Sequence, residues 1–112
     1  MMNNVTLVGR LAKDPELRTS GKTTITQATV VTERPVIRDG KVQKDPATGY
    51  TQTEAEFHNV TVFNGMGKAL AEHKSKGDMV AVQGRIHYSK WTDKDGVQRY
   101  GCEIIADEVQ FV

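Results

Sequence analysis

A single cysteine, Cys102, is all the thiol chemistry available to this chain of 112 residues. One thiol forms no internal disulfide and puts a four-cysteine metal site out of reach. Alternation with Tyr100 and Ile104 gives it a core-facing strand position, where a buried, inert thiol is expected. The three histidines, His58, His73 and His87, lack a metal-ligand spacing, and no glycine motif for nucleotide phosphates is present. Glu54 and Glu56 stand close together, but two carboxylates alone do not define a hydrolase. Catalysis therefore has little support, and no cofactor is expected. No hydrophobic run is long enough to span a bilayer, and the N-terminus lacks the basic leader and apolar stretch of a signal peptide. A cytoplasmic protein is the expectation. An excess of one charge is also missing, since 15 Lys and Arg against 14 Asp and Glu leave +1. Attraction to phosphates must then come from a local stripe of cations rather than from the molecule as a whole.

What remains is a soluble globular composition, 38% hydrophobic and 26% charged, of a length that builds one domain spanning residues 1–112. Asn4 to Arg10 reads as a first strand, with Val5 and Leu7 facing away from Thr6, Val8 and Arg10. Val8 among the outward residues suggests a curved strand buried partly on both faces. A turn is expected at Lys13-Asp14-Pro15, then a second strand over Thr23 to Thr32, rich in Thr and Val. Arg34 to Thr53 reads as a long connection or protruding hairpin, turning near Asp39-Gly40 or around Ala47-Thr48-Gly49. Its length favours a mobile or ligand-binding finger, to which Tyr50 would belong. A third strand covers about Glu56 to Phe63, and a short helix follows over Lys68 to His73, with Ala69 and Leu70 closing one end of the core. Met79 to Trp91 is a long fourth strand. Thr92-Asp93-Lys94-Asp95-Gly96 turns it into a fifth, Val97 to Ile105, and Val109, Phe111 and Val112 finish the sheet. Five strands with one helix between the third and fourth is the order of an all-β, partly open Greek-key barrel, the oligonucleotide and oligosaccharide binding (OB) fold. Gly9, Gly84 and Gly101 lie inside its strands, where close backbone approaches help a sheet curl.

Strand parity singles out three rings. His58, Val60 and Val62 share one side of the third strand, whereas Phe57 and Phe63 share the other with Asn59 and Thr61. Likewise Val80, Val82, Ile86 and Tyr88 share a side, and Trp91 lies opposite with Gln83, Arg85, His87 and Ser89. Tyr88 is thus expected to be buried unless a bulge shifts it. Rings set among polar side chains suit stacking on flat bases, and cations beside them suit phosphates. Candidate stacking residues are Phe57, Phe63, Trp91 and Tyr50. Candidate phosphate contacts are Arg34 and Arg85 first, then Lys90, Arg10, Lys22 and Arg38, with Arg18 among further cations. The same rings also fit a protein-binding adaptor or an RNA-binding module. The edge of the first strand, with Asn4, Thr6 and Val8, is a candidate for contacts between copies.

The opening run Met2 to Arg18, with Val8-Gly9-Arg10-Leu11 and Lys13-Asp14-Pro15-Glu16, resembles the start of bacterial and phage single-stranded DNA-binding proteins. So do Glu56-Phe57-His58-Asn59-Val60-Thr61-Val62-Phe63, Lys76-Gly77-Asp78 through Ile86, and Lys90-Trp91-Thr92-Asp93-Lys94-Asp95-Gly96 with Tyr100 following. These stretches occur in order over nearly the whole chain. The resemblance implies an OB-fold subunit, usually a homotetramer, that coats strands exposed in DNA replication, recombination and repair. It implies base stacking by Phe57, Phe63 and Trp91, and a place for His58 near a subunit contact. It also implies a bacterial cytoplasm or nucleoid, or a phage-infected host cell. Phe57 stands where Trp is common, and the segment before it has Ile37 and Tyr50 but no tryptophan. The chain reads as a short form, ending at Phe111-Val112 without the acidic tail that recruits replication and repair proteins.

Overall fold

Alternating β-branched residues dictate strands, and the computed structural model, which describes residues 1–112, arranges them with one helix. The order is β1 (Val5–Leu11), β2 (Glu16–Ser20), β3 (Thr23–Pro35), β4 (Ile37–Arg38), β5 (Lys41–Val42), β6 (Thr53–Phe63), α1 (Asn64–His73), β7 (Met79–Thr92) and β8 (Gln98–Phe111). The main sheet runs β1-β7-β8-β6-β3-β2 and closes because β1 also pairs with β3. β1 and β2 follow one another along β3, Leu11 opposite Val30 and Glu16 opposite Gln27, so they are two halves of one bent strand. Counted so, five strands close the barrel and α1 enters between β6 and β7, which is the OB fold.

Inside lie Leu11, Ala28, Val30, Val60, Val62, Val80, Val82, Ile104 and Ala106, with Leu70 of α1 plugging one end. Two glycines let the backbones meet. A Cβ on Gly9 would stand 2.2 Å from the Val31 carbonyl oxygen, and one on Gly84 would stand 2.1 Å from that of Ile105. Both sit where strands cross too closely for any side chain. Opposite Gly84 the register shifts, leaving Asp107 as an extra residue in β8. This bulge bends β8 and lets it run as one strand past residue 105 to Phe111.

Three expectations change. At Lys13-Asp14-Pro15 the chain bends instead of reversing, held by the Ala12 N–H on the Thr29 carbonyl at 2.8 Å, and continues as β2. The helix starts at Asn64, whose φ of 59° ends β6 and turns the chain directly into α1. Val8 is exposed rather than partly buried on both faces. Of the two readings of residues 34–53, a long connection or a protruding hairpin, the structure has the hairpin. β3 and β6 stay paired out to Pro35 and Thr53, beyond which β4 and β5 pair around Asp39 and Gly40, both at positive φ. A second turn is tied by the Gly49 N–H to the Asp45 carbonyl, so both anticipated turns exist. No helix is long and apolar enough to cross a membrane.

Candidate nucleic-acid interface

On the outer face of β6 the pairs with β3 are Phe57 with Val31, Asn59 with Thr29, Thr61 with Gln27 and Phe63 with Ile25. Paired residues share a face, so the two phenylalanines mark the ends of one polar strip. Phe57 is 66% exposed and Phe63 38%. The two phenylalanine rows each reach a cation, whereas the Thr61–Gln27 row reaches Glu16. Ile25 pairs with Arg18 on β2, and Val31 pairs with Arg10 on β1. Arg10 donates to the Gly77 carbonyl at 3.0 Å, which ties part of its guanidinium to the fold.

The strip continues across the barrel. β6 runs parallel to β8, with Thr61 beside Ile105, and Ile105 pairs with Arg85 of β7. Thr61 is buried although it has outward parity, because its hydroxyl lies between the Gln27 amide and the Glu103 carboxylate and donates to the latter. Farther along the same face of β7 comes Trp91, 51% exposed. Its indole lies over Gly101, where a Cβ would stand 3.0 Å from a ring carbon. Gly101 is thus the seat of the ring, a role that parity alone does not reveal.

Other residues depart from expectation. Tyr88 is 74% exposed and Cys102 is exposed too, although both have core-facing parity. No bulge in β7 causes this. The two residues pair with each other on the part of the β7–β8 hairpin that projects past the barrel, where an inward position has no core to enter. Lys90 pairs with Tyr100 and so points to the face opposite Trp91, not alongside it. Arg34 is not free. Its Nη2 meets Glu54 at 2.7 Å and its Nε meets Glu56 at 2.5 Å, on the face of the finger away from Phe57. Lys22, Arg38 and Tyr50 are exposed at the β2–β3 turn and on the finger.

His58 and Thr32 share a hydrogen bond of 2.8 Å between Nε2 and Oγ1, and Thr32 lines a shallow recess with Val8, Val31 and Met79. Thr6 and Val8 lie on the outer face of β1, and Asn4 precedes it. Asn3 was invisible to strand-pattern reasoning, yet it grips Ile86 by accepting from its N–H at 3.0 Å and donating to its carbonyl at 2.9 Å. No group of three or more His, Cys, Asp or Glu is placed to hold a metal ion.

A closed five-stranded barrel with a helix entered among its strands defines an OB-fold domain, and its outer face carries an exposed, ring-bearing strip. Its fold matches that of the Plasmodium falciparum SSB solved in complex with ssDNA, with a TM-score of 0.81 at 20% identity over 100% of this chain and 96% of that one. Residues 2–112 match the single-strand binding protein family, and the chain belongs to that family. It is 38% identical to the single-stranded DNA-binding protein of Xylella fastidiosa, over 99% of this chain and 63% of that protein. The corresponding protein of Clostridium tetani is also 38% identical, over 99% of this chain and 70% of its own length. The chain thus spans a little under two thirds of the Xylella relative.

Proposed function

We propose that this chain binds single-stranded DNA without sequence preference and protects strands exposed in replication, recombination and repair. The observation that carries the reading is the set of outward rings, Phe57, Phe63 and Trp91, on one connected outer surface. Stacking needs a π-face and no particular base edge, so it gives affinity without sequence readout. Arg18 lies in the Phe63 row, Arg10 in the Phe57 row and Arg85 on the Trp91 face of β7, with Lys22 and Arg38 at the margins, to meet phosphates. Family membership and the names of the relatives support the same ligand.

The working unit in this reading is a homotetramer in the bacterial cytoplasm or an infected host cell. Residues 5–9 of β1 pair only with β7, which leaves their other edge open for a second copy beside Thr6, Val8 and the His58–Thr32 pair. Titration with a thymine homopolymer at low salt should quench Trp91 fluorescence, and an equal-length RNA should bind more weakly. Absence of both quenching and a mobility shift would overturn the reading.

A further inference from the structure

The β7–β8 hairpin is a two-stranded blade beyond the barrel rim, and only one of its faces belongs to the strip described above. The other carries Tyr88 and Tyr100, 74% and 71% exposed. We propose that this face, with Lys90 between the tyrosines, is a second stacking lane for single-stranded nucleic acid. The proposal rests on the single-strand reading above and extends its surface.

The register sets the geometry. Tyr88 pairs with Cys102, and Lys90 pairs with Tyr100, so the tyrosines are diagonal neighbours on one face. Diagonal positions lie about 7–8 Å apart. That is roughly twice the 3.4 Å rise of stacked bases, so a base has room between the rings. The tyrosines do not stack on other rings, the one ring–ring contact being His73 with Phe111. The Tyr100 hydroxyl donates to the Gln98 side chain at 3.0 Å, which fixes the direction of the ring. Lys90 Nζ stands 6.0 Å from the centre of that ring, at the outer limit of a cation–π contact and free to turn to a phosphate.

Charge decides between a nucleic acid and a protein as occupant. From Ile86 to Thr92 and from Gln98 to Ile104, this face has Lys90 as its one charge, with no carboxylate to repel phosphate. The Trp91 face of the same ribbon carries Glu103 as well as Arg99, whose Nε is committed to Asp93. A protein partner seeks aliphatic area, whereas Ile86 and Ile104 lie at the root of the hairpin, turned toward the barrel. A strand that rounds the tip at Asp93 to Gly96 would meet Trp91 on one side and the tyrosines on the other.

The test compares the chain with a Tyr88→Ala/Tyr100→Ala variant, which keeps Trp91 as reporter; near-UV circular dichroism checks its fold. With a thymine homopolymer, quenching should persist, the nucleotides occluded per protomer should fall by about one per ring removed, and affinity should fall at least about fivefold per ring. Irradiation of the unaltered protein with a bromodeoxyuridine oligonucleotide should give adducts at Tyr88 or Tyr100 as well as Trp91. Quenching with unchanged occluded length and no tyrosine adduct overturns the second lane and leaves the Trp91 reading intact. A variant that loses assembly mass yet binds equally per protomer assigns the face to a second copy and overturns it as well. Neither quenching nor adducts with the unaltered protein overturns both readings.

Discussion

Arg34 shows how a side chain's partner alters its use. Sequence alone makes it a cation at the root of the finger, whereas the register that sets Arg34 opposite Glu54 commits it to two carboxylates. That register depends on the hydrogen bonds closing the finger at Val36, Gln43 and Gln52, which no short window of sequence discloses. All three side chains are about half exposed, so the cluster adds little stability. Its effect is on charge, because the acids hold the place of a phosphate. A Glu54→Gln/Glu56→Gln variant should bind single-stranded DNA more tightly at low salt. A plot of log Kd against log salt should steepen by about 0.7 for the one added contact. An unchanged slope would show that Arg34 does not reach the strand. The facing of Phe57 was legible from parity, and its test is separate. Phe57→Ala and Trp91→Ala should each weaken binding by about 1–3 kcal/mol, the range measured for stacked aromatics in single-strand binders of this fold. For Phe57, at 66% exposed, the melting temperature should hardly move.

Among elements, the β7–β8 hairpin is the plainest in the sequence and the most misleading in detail. Thr92 to Gly96 turns as expected, because the Asp93 carboxylate accepts from the N–H groups of Asp95 and Val97 and from Arg99 Nε, each at 2.9 Å. Those contacts, the Val97 N–H foremost and Arg99 next, hold the Asp93 carboxyl below its usual value of 3.8. A carboxylate favoured in the folded state contributes fully above that ordinary value, and the contribution fades as pH falls through the lower native one. Asp93→Asn should therefore speed amide exchange near Trp91 and Arg99 at neutral pH, and the difference from the unaltered chain should shrink below about pH 4. Equal exchange at neutral pH would show that the carboxylate does not hold the turn. The same hairpin misplaces Tyr88 and Cys102, because period two predicts which side a residue faces but not where the core stops. β2 is hidden in the sequence for a related reason: Lys13-Asp14-Pro15 has turn composition, and only pairing with β3 shows that the chain goes on. Glycine in β7 has the opposite character, since its need is tertiary and absolute. Gly84→Ala would drive a methyl into the Ile105 carbonyl and should destabilise the fold by several kcal/mol, read as a large loss in urea midpoint.

At the scale of the molecule, only 15 of 112 residues are buried, while the fingers stretch the chain to 53 × 39 × 32 Å. A small barrel with so thin an interior gains by covering more apolar surface, and small domains commonly do so by association. Val8 is 57% exposed on β1, where it lines a recess with Val31 and Met79 rimmed by Arg10, Thr32 and Glu33, beside an edge with unused N–H and C=O groups. Pairing two copies along that edge would satisfy the backbone groups and bury Val8 in one step. Charge at this position opposes the contact, because taking an ammonium out of water between two copies costs far more than burying the valine. Val8→Lys should leave the barrel folded, since the residue points away from the core. It should also reduce the mass in solution toward the 12.4 kDa of one chain and weaken the rise of the melting temperature with protein concentration. Binding to a short oligonucleotide should survive, because Phe57, Phe63 and Trp91 lie on other strands, whereas the length of DNA held per particle should fall with the number of subunits. A Val8→Lys protein that keeps its assembly mass would move the contact between copies away from β1.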